Sequence, residues 1–215
     1  MLPFYSFPYF SQNCLWLIVA YCVGSFPTAL VLSKLFKKGD VRLQGSGNIG
    51  ATNAVRTMGK TLGFFTFLID ALKGVCVLGV YLSMHLSAPF SDSLLLSLFV
   101  ILGHIFSIYL LLFSPHPQKG GKGIATTFGL ILSLSPPLAA LLLLTSLMFY
   151  MALRNVGIAN VLTMLLMPLY VYFFDTILFL EEPDMWMKFS IVLSVMIIYA
   201  HRSNLKAYKD AIERS

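Results

Sequence analysis

IATTFGLILSLSPPLAALLLLTSLMFYMAL, residues 124–153, decides the fold. As a single helix these ~30 residues would rise about 45 Å, well beyond the ~30 Å hydrocarbon core of a bilayer. Pro136 and Pro137 interrupt the run, with Ser133 and Ser135 just before them. Proline inside a helix removes a donor and clashes with the preceding turn. The run therefore reads as a short span, 124–135, followed by one of ordinary length, 136–153. Outward from it, apolar stretches near 14–36, 61–82, 93–113, 157–179 and 186–200 bring the expected number of transmembrane helices to seven.

Composition supports this all-α integral membrane reading. Of 215 residues, 58% are hydrophobic and 11% charged, against about 25% charged in soluble domains. No linker, charge block, low-complexity run or internal repeat divides the chain, so residues 1–215 are expected to form one membrane-embedded domain. Cys14, Cys22 and Cys76 all fall in apolar runs without metal spacing and read as packing residues. No Lys or Arg precedes Lys34, so the N-terminus lacks the charged start of a secretory leader.

Charge parity favours the odd number of spans. With seven spans and the N-terminus outside, one face receives Lys34, Lys37, Lys38, Arg42, Arg56, Lys60, Lys119, Lys122, Arg154, Arg202, Lys206, Lys209 and Arg214. The other receives Asp92, Glu181, Glu182, Asp184 and one cation, Lys188. Such asymmetry marks the first face as cytoplasmic, together with the C-terminus. It also accounts for the net charge of +6 without nucleic acid, for which no basic run interleaved with aromatics is present.

The polar segments fall on that face. Residues 45–60 read GSGNIGATNAVRTMGK. Gly45, Gly47 and Gly50 open backbone N–H groups to close approach. Ser46, Asn48, Thr52 and Asn53 add neutral polar groups, and Arg56 and Lys60 add charge. The segment is expected to make a poor helix and a poor core, but a good cradle for an anion. It ends like a P-loop at Gly59-Lys60-Thr61, yet position 54 is Ala54 and no strand precedes it, so a nucleotide-hydrolase reading fails. KGGKG, formed by Lys119, Gly120, Gly121, Lys122 and Gly123, opens an apolar helix and aims an ammonium and a helix N-terminus at one spot. Asp70 and Lys73 lie at i and i+3 within the second span and read as a neutralised structural ion pair. His104 reads as a packing residue, and His201 and Asn204 share one face at the end of the last span.

Taken together, these segments resemble the bacterial acyl-phosphate:glycerol-3-phosphate acyltransferase family (PlsY), in order and over nearly the whole chain. GSGNIGATNAVRTMGK is similar to its first motif, DALKG at Asp70–Gly74 to its LDxxKG element, Gly103-His104 and KGGKGIAT to its second motif, and HRSN at His201–Asn204 to its HRxN. The resemblance implies seven helices and acyl transfer from acyl-phosphate to the 1-hydroxyl of glycerol 3-phosphate, with no metal, no cofactor and no nucleic-acid partner. It further implies an inner-membrane enzyme of phospholipid biosynthesis, surrounded by lipid, with its active site facing the cytoplasm and an upstream enzyme forming the acyl-phosphate. Carried over, it makes Ser46, Arg56, Lys122, His201 and Asn204 candidate catalytic residues. Gly45, Gly47, Asn48, Gly50, Thr52, Asn53, Lys119, Gly120, Gly121 and Gly123 become candidate substrate-binding residues. The chain departs from the pattern at Arg154-Asn155-Val156-Gly157-Ile158-Ala159-Asn160, where Gly157 and Asn160 replace two serines. It departs again at Ser114–Gln118, which looks inserted, and in the tail KAYKDAIERS.

Acyl phosphate is already activated, so positioning and charge neutralisation are expected to suffice, without an acyl-enzyme. The His–Asp unit of another glycerolipid acyltransferase class is missing. Five residues after His85, His104, His116 and His201 stand Phe90, Tyr109, Gly121 and Lys206. An organic-phosphate transporter and a non-catalytic lipid-binding protein are the rival readings. Against the transporter, no inverted repeat is visible and a one-face cluster does not reach the midplane.

Overall fold

A computed structural model describes residues 7–113, 120–178, 180 and 182–214, with side chains from Cys14 onward. Among these residues the chain is entirely helical: α1 (Phe7–Ser25), α2 (Thr28–Leu35), α3 (Ala51–Met58), α4 (Lys60–Met84), α5 (Phe90–Ile105), α6 (Ile108–Phe113), α7 (Ile124–Leu134), α8 (Pro136–Leu153), α9 (Val156–Phe174), α10 (Pro183–Ala200) and α11 (Arg202–Ile212), with a 3-10 turn at Val41–Leu43.

Five stretches are long and apolar enough to cross a membrane: α4, Phe90–Phe113, α8, α9 and α10. The bent pair Cys14–Ser25 and Thr28–Leu35 makes a sixth. Large apolar side chains on these helices face outward, Leu111 at 77% exposure and Met148 at 71%, as a lipid-facing surface requires. The protein is an integral membrane protein.

The break at Pro136–Pro137 falls where the sequence puts it. α7 ends at Leu134, and Ser135 caps α8, its hydroxyl accepting from the Leu138 N–H at 3.4 Å. The expected span 124–135 is a helix, but its 11 residues rise only about 17 Å, half the hydrocarbon thickness. The connection after α9 folds inward to meet it. Leu178 is buried, and its carbonyl accepts the Ser135 hydroxyl at 3.2 Å.

Two other spans are broken, and hydrogen bonds take up the freed backbone groups. Pro27 bends α1 against α2 by 44°, because the residue before a proline is pushed out of the helical region. Ser107 Oγ donates to the Ser25 carbonyl and Lys73 Nζ to the Phe26 carbonyl, both at 2.5 Å, and the Tyr21 hydroxyl donates to the Phe106 carbonyl at 2.6 Å. In hydrocarbon each unsatisfied group would cost several kcal/mol. Glycines let the helices approach: a Cβ on Gly103 would lie 2.1 Å from the Tyr21 carbonyl oxygen, and one on Gly129 2.2 Å from that of Ala71.

One expectation is corrected. Residues 51–58 are not a poor helix but the whole of α3, and they are not a poor core. Ala54 and Met58, one turn apart, pack with Ile49, Val41, Leu30, Leu62 and Leu110 in a second, smaller core under the polar loops. The conspicuous glycines stop at Gly50, and an ordinary i, i+4 apolar pair takes over.

Candidate active site

The first polar loop is built around Asn53. This residue is 2% exposed. Its Nδ2 donates to the carbonyls of Val41, Gln44 and Asn48 at 3.1, 3.1 and 2.9 Å, and its Oδ1 accepts the Ser46 N–H at 2.9 Å. With its amide committed in this way, Asn53 shapes the loop. Gly45 has φ +58° and would clash through any Cβ with Asn53 Oδ1 at 2.3 Å, so the turn needs glycine on both counts. Gly47, at φ +70°, lies against the Arg42 carbonyl. Gly50 caps α3 and donates its N–H to Asn48 Oδ1 at 2.9 Å.

This scaffold presents Ser46, Thr52 and Arg56 to the outside, the last two one turn apart on α3. Among the described residues the Ser46 and Thr52 hydroxyls and the Arg56 guanidinium have no hydrogen-bond or ion-pair partner. The contrast with Arg42 is informative. Arg42 grips Asp40, with Nη2 to Oδ2 at 2.6 Å and Nε to Oδ1 at 2.9 Å, and holds the Asp40 carboxyl below its usual range. Arg56 is thus the loop's cation left for an external anion.

Asn48 joins this loop to the second one, its Nδ2 donating to the Gly120 carbonyl at 3.0 Å. Gly120 and Gly121 lie on the end of α5. The Gly121 N–H donates to the His104 carbonyl at 3.0 Å, and a Cβ on Gly121 would fall 1.9 Å from His104 Nε2. His104 is therefore the platform beneath the second loop. Below it Asp70 accepts from Lys73 Nζ at 2.6 Å and from Thr28 Oγ1 at 2.7 Å, a buried structural pair as expected. Lys119 lies outside the described residues.

Gly123, at φ +83°, caps α7, and Lys122 precedes it. Lys122 Nζ donates to Asn204 Oδ1 on the first turn of α11. His201, 2% exposed, directs Nδ1 at the Ile197 carbonyl at 2.9 Å. A carbonyl only accepts, so in neutral His201 Nδ1 carries the proton and Nε2 the lone pair. Burial pushes its pKa down to about 4, and the Lys122 charge acts in the same direction. The imidazole is neutral at physiological pH.

The three polar segments are thus one constellation: 45–56 is tied to 120–123 through Asn48, and 120–123 to 201–204 through Lys122. The glycerol-3-phosphate acyltransferase family model matches residues 14–211. The chain belongs to the glycerol-3-phosphate acyltransferase family. A relative from Bartonella quintana, itself a glycerol-3-phosphate acyltransferase, is 34% identical over 209 residues, covering 95% of this chain and 89% of its own. The crystal structure of PlsY in its glycerol 3-phosphate form superposes with a TM-score of 0.76 at 31% identity, covering 93% of each chain. Its lysophosphatidic acid form gives 0.74 at 30% over the same shares. Family membership makes the protein an acyltransferase, and the constellation is its candidate active site.

Sequence reasoning did not foresee the role of His104, because its partner Gly121 lies on another segment. It also left Gly157 as a lost serine. In the structure Gly157 sits directly under Asn204. Asn160, the other replacement, accepts from Ser146 Oγ on α8 at 2.9 Å and serves helix packing.

Proposed function

We propose that the chain transfers an acyl group from acyl-phosphate to the 1-hydroxyl of glycerol 3-phosphate, giving lysophosphatidate and inorganic phosphate, the first acylation of phospholipid biosynthesis. The observation that carries this reading is the Lys122–Asn204 contact, which joins two segments 82 residues apart at the same end of the bundle as the Arg56 loop. Both substrates carry phosphate, and Arg56 and Lys122 supply the cations to neutralise it. The solved relatives in glycerol 3-phosphate and lysophosphatidic acid forms, which cover 93% of this chain, agree with that acceptor and product.

In this mechanism Ser46 and the N–H groups of Gly45 and Gly123 hold the donor phosphate and carbonyl oxygen, while Gly47 and Gly121, whose N–H groups go to the Gln44 and His104 carbonyls, shape the two loops. His201 and Asn204 orient the acceptor. The acceptor hydroxyl oxygen bonds to the acyl carbon, the bond from that carbon to the phosphate oxygen breaks, and phosphate leaves. With a pKa of about 4, His201 is a weak proton store at neutral pH. It orients the hydroxyl through Nε2, and the proton passes to a phosphate oxygen of the substrate. Asn48, Gly50, Asn53 and Gly120 hold the loops in register, and Thr52 lies beside Arg56. The acyl chain lies among the helices, and acyl-phosphate comes from a separate enzyme.

The same reading sets the protein in the bacterial inner membrane with seven embedded helices, the N-terminus outside and the site at the cytoplasmic face. Loop charge supports it, as does the inward connection at Leu178, which meets the short α7 at the end of α9 remote from the site. In a cysteine-free background, cysteines at Ser46, Arg154 and Ser203 then label from the cytoplasm and those at Ser91 and Glu182 from outside. Labelling of positions 154 and 203 from outside overturns the seven-helix arrangement.

The activity is tested with purified protein, acyl-phosphate and glycerol 3-phosphate. Phosphate and lysophosphatidate form one to one, and acyl-CoA and acyl carrier protein do not substitute as donors. No turnover, or turnover with acyl-CoA alone, contradicts the reading.

A further inference from the structure

Gly157 stands in the first turn of α9, where nothing in its own backbone calls for glycine. Its φ is not among the positive values of the chain. Its N–H is taken by the capping oxygen of Asn155 at 3.1 Å, and that of Ile158 by the same atom at 3.2 Å. Inside a helix glycine is less stable than alanine. The neighbourhood supplies the reason for it. A Cβ at 157 would lie 1.8 Å from Asn204 Nδ2, 2.8 Å from its Cγ and 3.1 Å from its Cβ. The Asn204 side chain occupies the volume that any other residue at 157 would need.

The orientation of that amide is dictated from the other side. Lysine only donates, so the atom of Asn204 that meets Lys122 is the oxygen. The NH2 group then points over Gly157, and among the described residues it makes no hydrogen bond. Asn204 is thus held between a cation and a bare helix turn, with a donor left for an external acceptor oxygen.

We propose that Gly157 is a positioning residue for the acceptor half of the site: lacking a side chain, it seats the Asn204 amide against α9 with its oxygen on Lys122 and its NH2 toward the acceptor. The proposal rests on the acyl-transfer reading above. On this backbone a Cβ at 157 overlaps the Asn204 amide, so the amide shifts from its seat and its contact with Lys122 is disturbed. Misplacing a positioned group by about 1 Å costs on the order of 10²-fold in rate.

The test is steady-state kinetics and thermal unfolding of the full chain in detergent, for wild type, Gly157→Ala, Asn204→Ala and the double variant Gly157→Ala/Asn204→Ala. Expected is a rise in KM for glycerol 3-phosphate of roughly 10- to 100-fold in Gly157→Ala, with the KM for acyl-phosphate little changed. In the Asn204→Ala background, where the space is vacated, Gly157→Ala adds no further loss, the signature of coupled neighbours. An unchanged KM for glycerol 3-phosphate, equal effects on both substrates, or additive losses overturn the proposal. If Gly157→Ala does not fold, the double variant must fold, because its clash is relieved; failure of both makes 157 a purely structural position and also overturns it. A wild type without turnover sinks the acyl-transfer reading instead. The coupling in apparent melting temperature then still decides whether Gly157 seats Asn204.

Discussion

The two halves of the site are built differently. The Arg56 half is local: apart from the Asn48–Gly120 tie to the other half, the hydrogen bonds that shape it join residues at most 12 apart, and Asn53 makes four of them. The Lys122 half is remote: Asn204 reaches Lys122 across 82 residues and rests on Gly157 of a third segment. A local scaffold depends on hydrogen bonds, so damage to it should appear in stability as well as activity. A remote contact depends on how α7, α9 and α11 pack, so damage to its side chains should appear in activity alone.

The largest effect is expected at the cations themselves. Arg56→Ala and Lys122→Ala each lower kcat/KM by on the order of 10²-fold or more, the cost of removing one preorganised donor to a developing charge. Membrane insertion and the elution profile stay as in the wild type. Near wild-type rates in either variant remove that residue from the phosphate site.

The scaffold comes next. Asn53→Ala takes this partner from the Val41 and Asn48 carbonyls and from the Ser46 N–H, at about 1 kcal/mol net for each bond lost, while the Gln44 carbonyl keeps the Gly47 N–H. The apparent melting temperature and the activity fall together, whereas Asn204→Ala lowers activity with melting unchanged. Thermal unfolding of the two variants side by side checks this, and equal melting in both erases the proposed difference between the halves.

A smaller effect belongs to pH. Folded His201 has its pKa lowered to about 4 from 6.5, so between these values the unfolded chain binds the extra proton. Stability contributed by neutral His201 is complete above pH 6.5 and is lost as pH falls toward 4. Melting measured across this window drops with acidification in the wild type, and the slope flattens in His201→Asn. A slope identical in both excludes burial of His201 as its source.

Much of this architecture was legible beforehand because lipid imposes simple rules. Hydropathy marked the spans, and Pro136–Pro137 marked the break between α7 and α8. The site segments were legible because glycine, amide and charge are conspicuous between apolar runs. What escaped was long-range or disguised. Helix α3 was hidden by the glycines before it, although Ala54 and Met58 carried its period. Asn53 looked like a ligand, since an amide that clamps a loop and one that binds substrate read alike. The seat of Asn204 on Gly157 joins residues 47 apart in sequence, which no local pattern reveals.

The central claim is that two positioned substrates react directly, with no activated nucleophile on the protein. Ser46 is exposed, and the His201 imidazole is anchored to the Ile197 carbonyl rather than to a carboxylate. A covalent route needs a nucleophile with an oriented base. The measurement is incubation with acyl-labelled acyl-phosphate, without and then with glycerol 3-phosphate, followed by denaturation. Direct transfer predicts an unlabelled chain in both cases and labelled lysophosphatidate only with the acceptor. Stoichiometric label on the chain without acceptor, absent in Ser46→Ala, would contradict it.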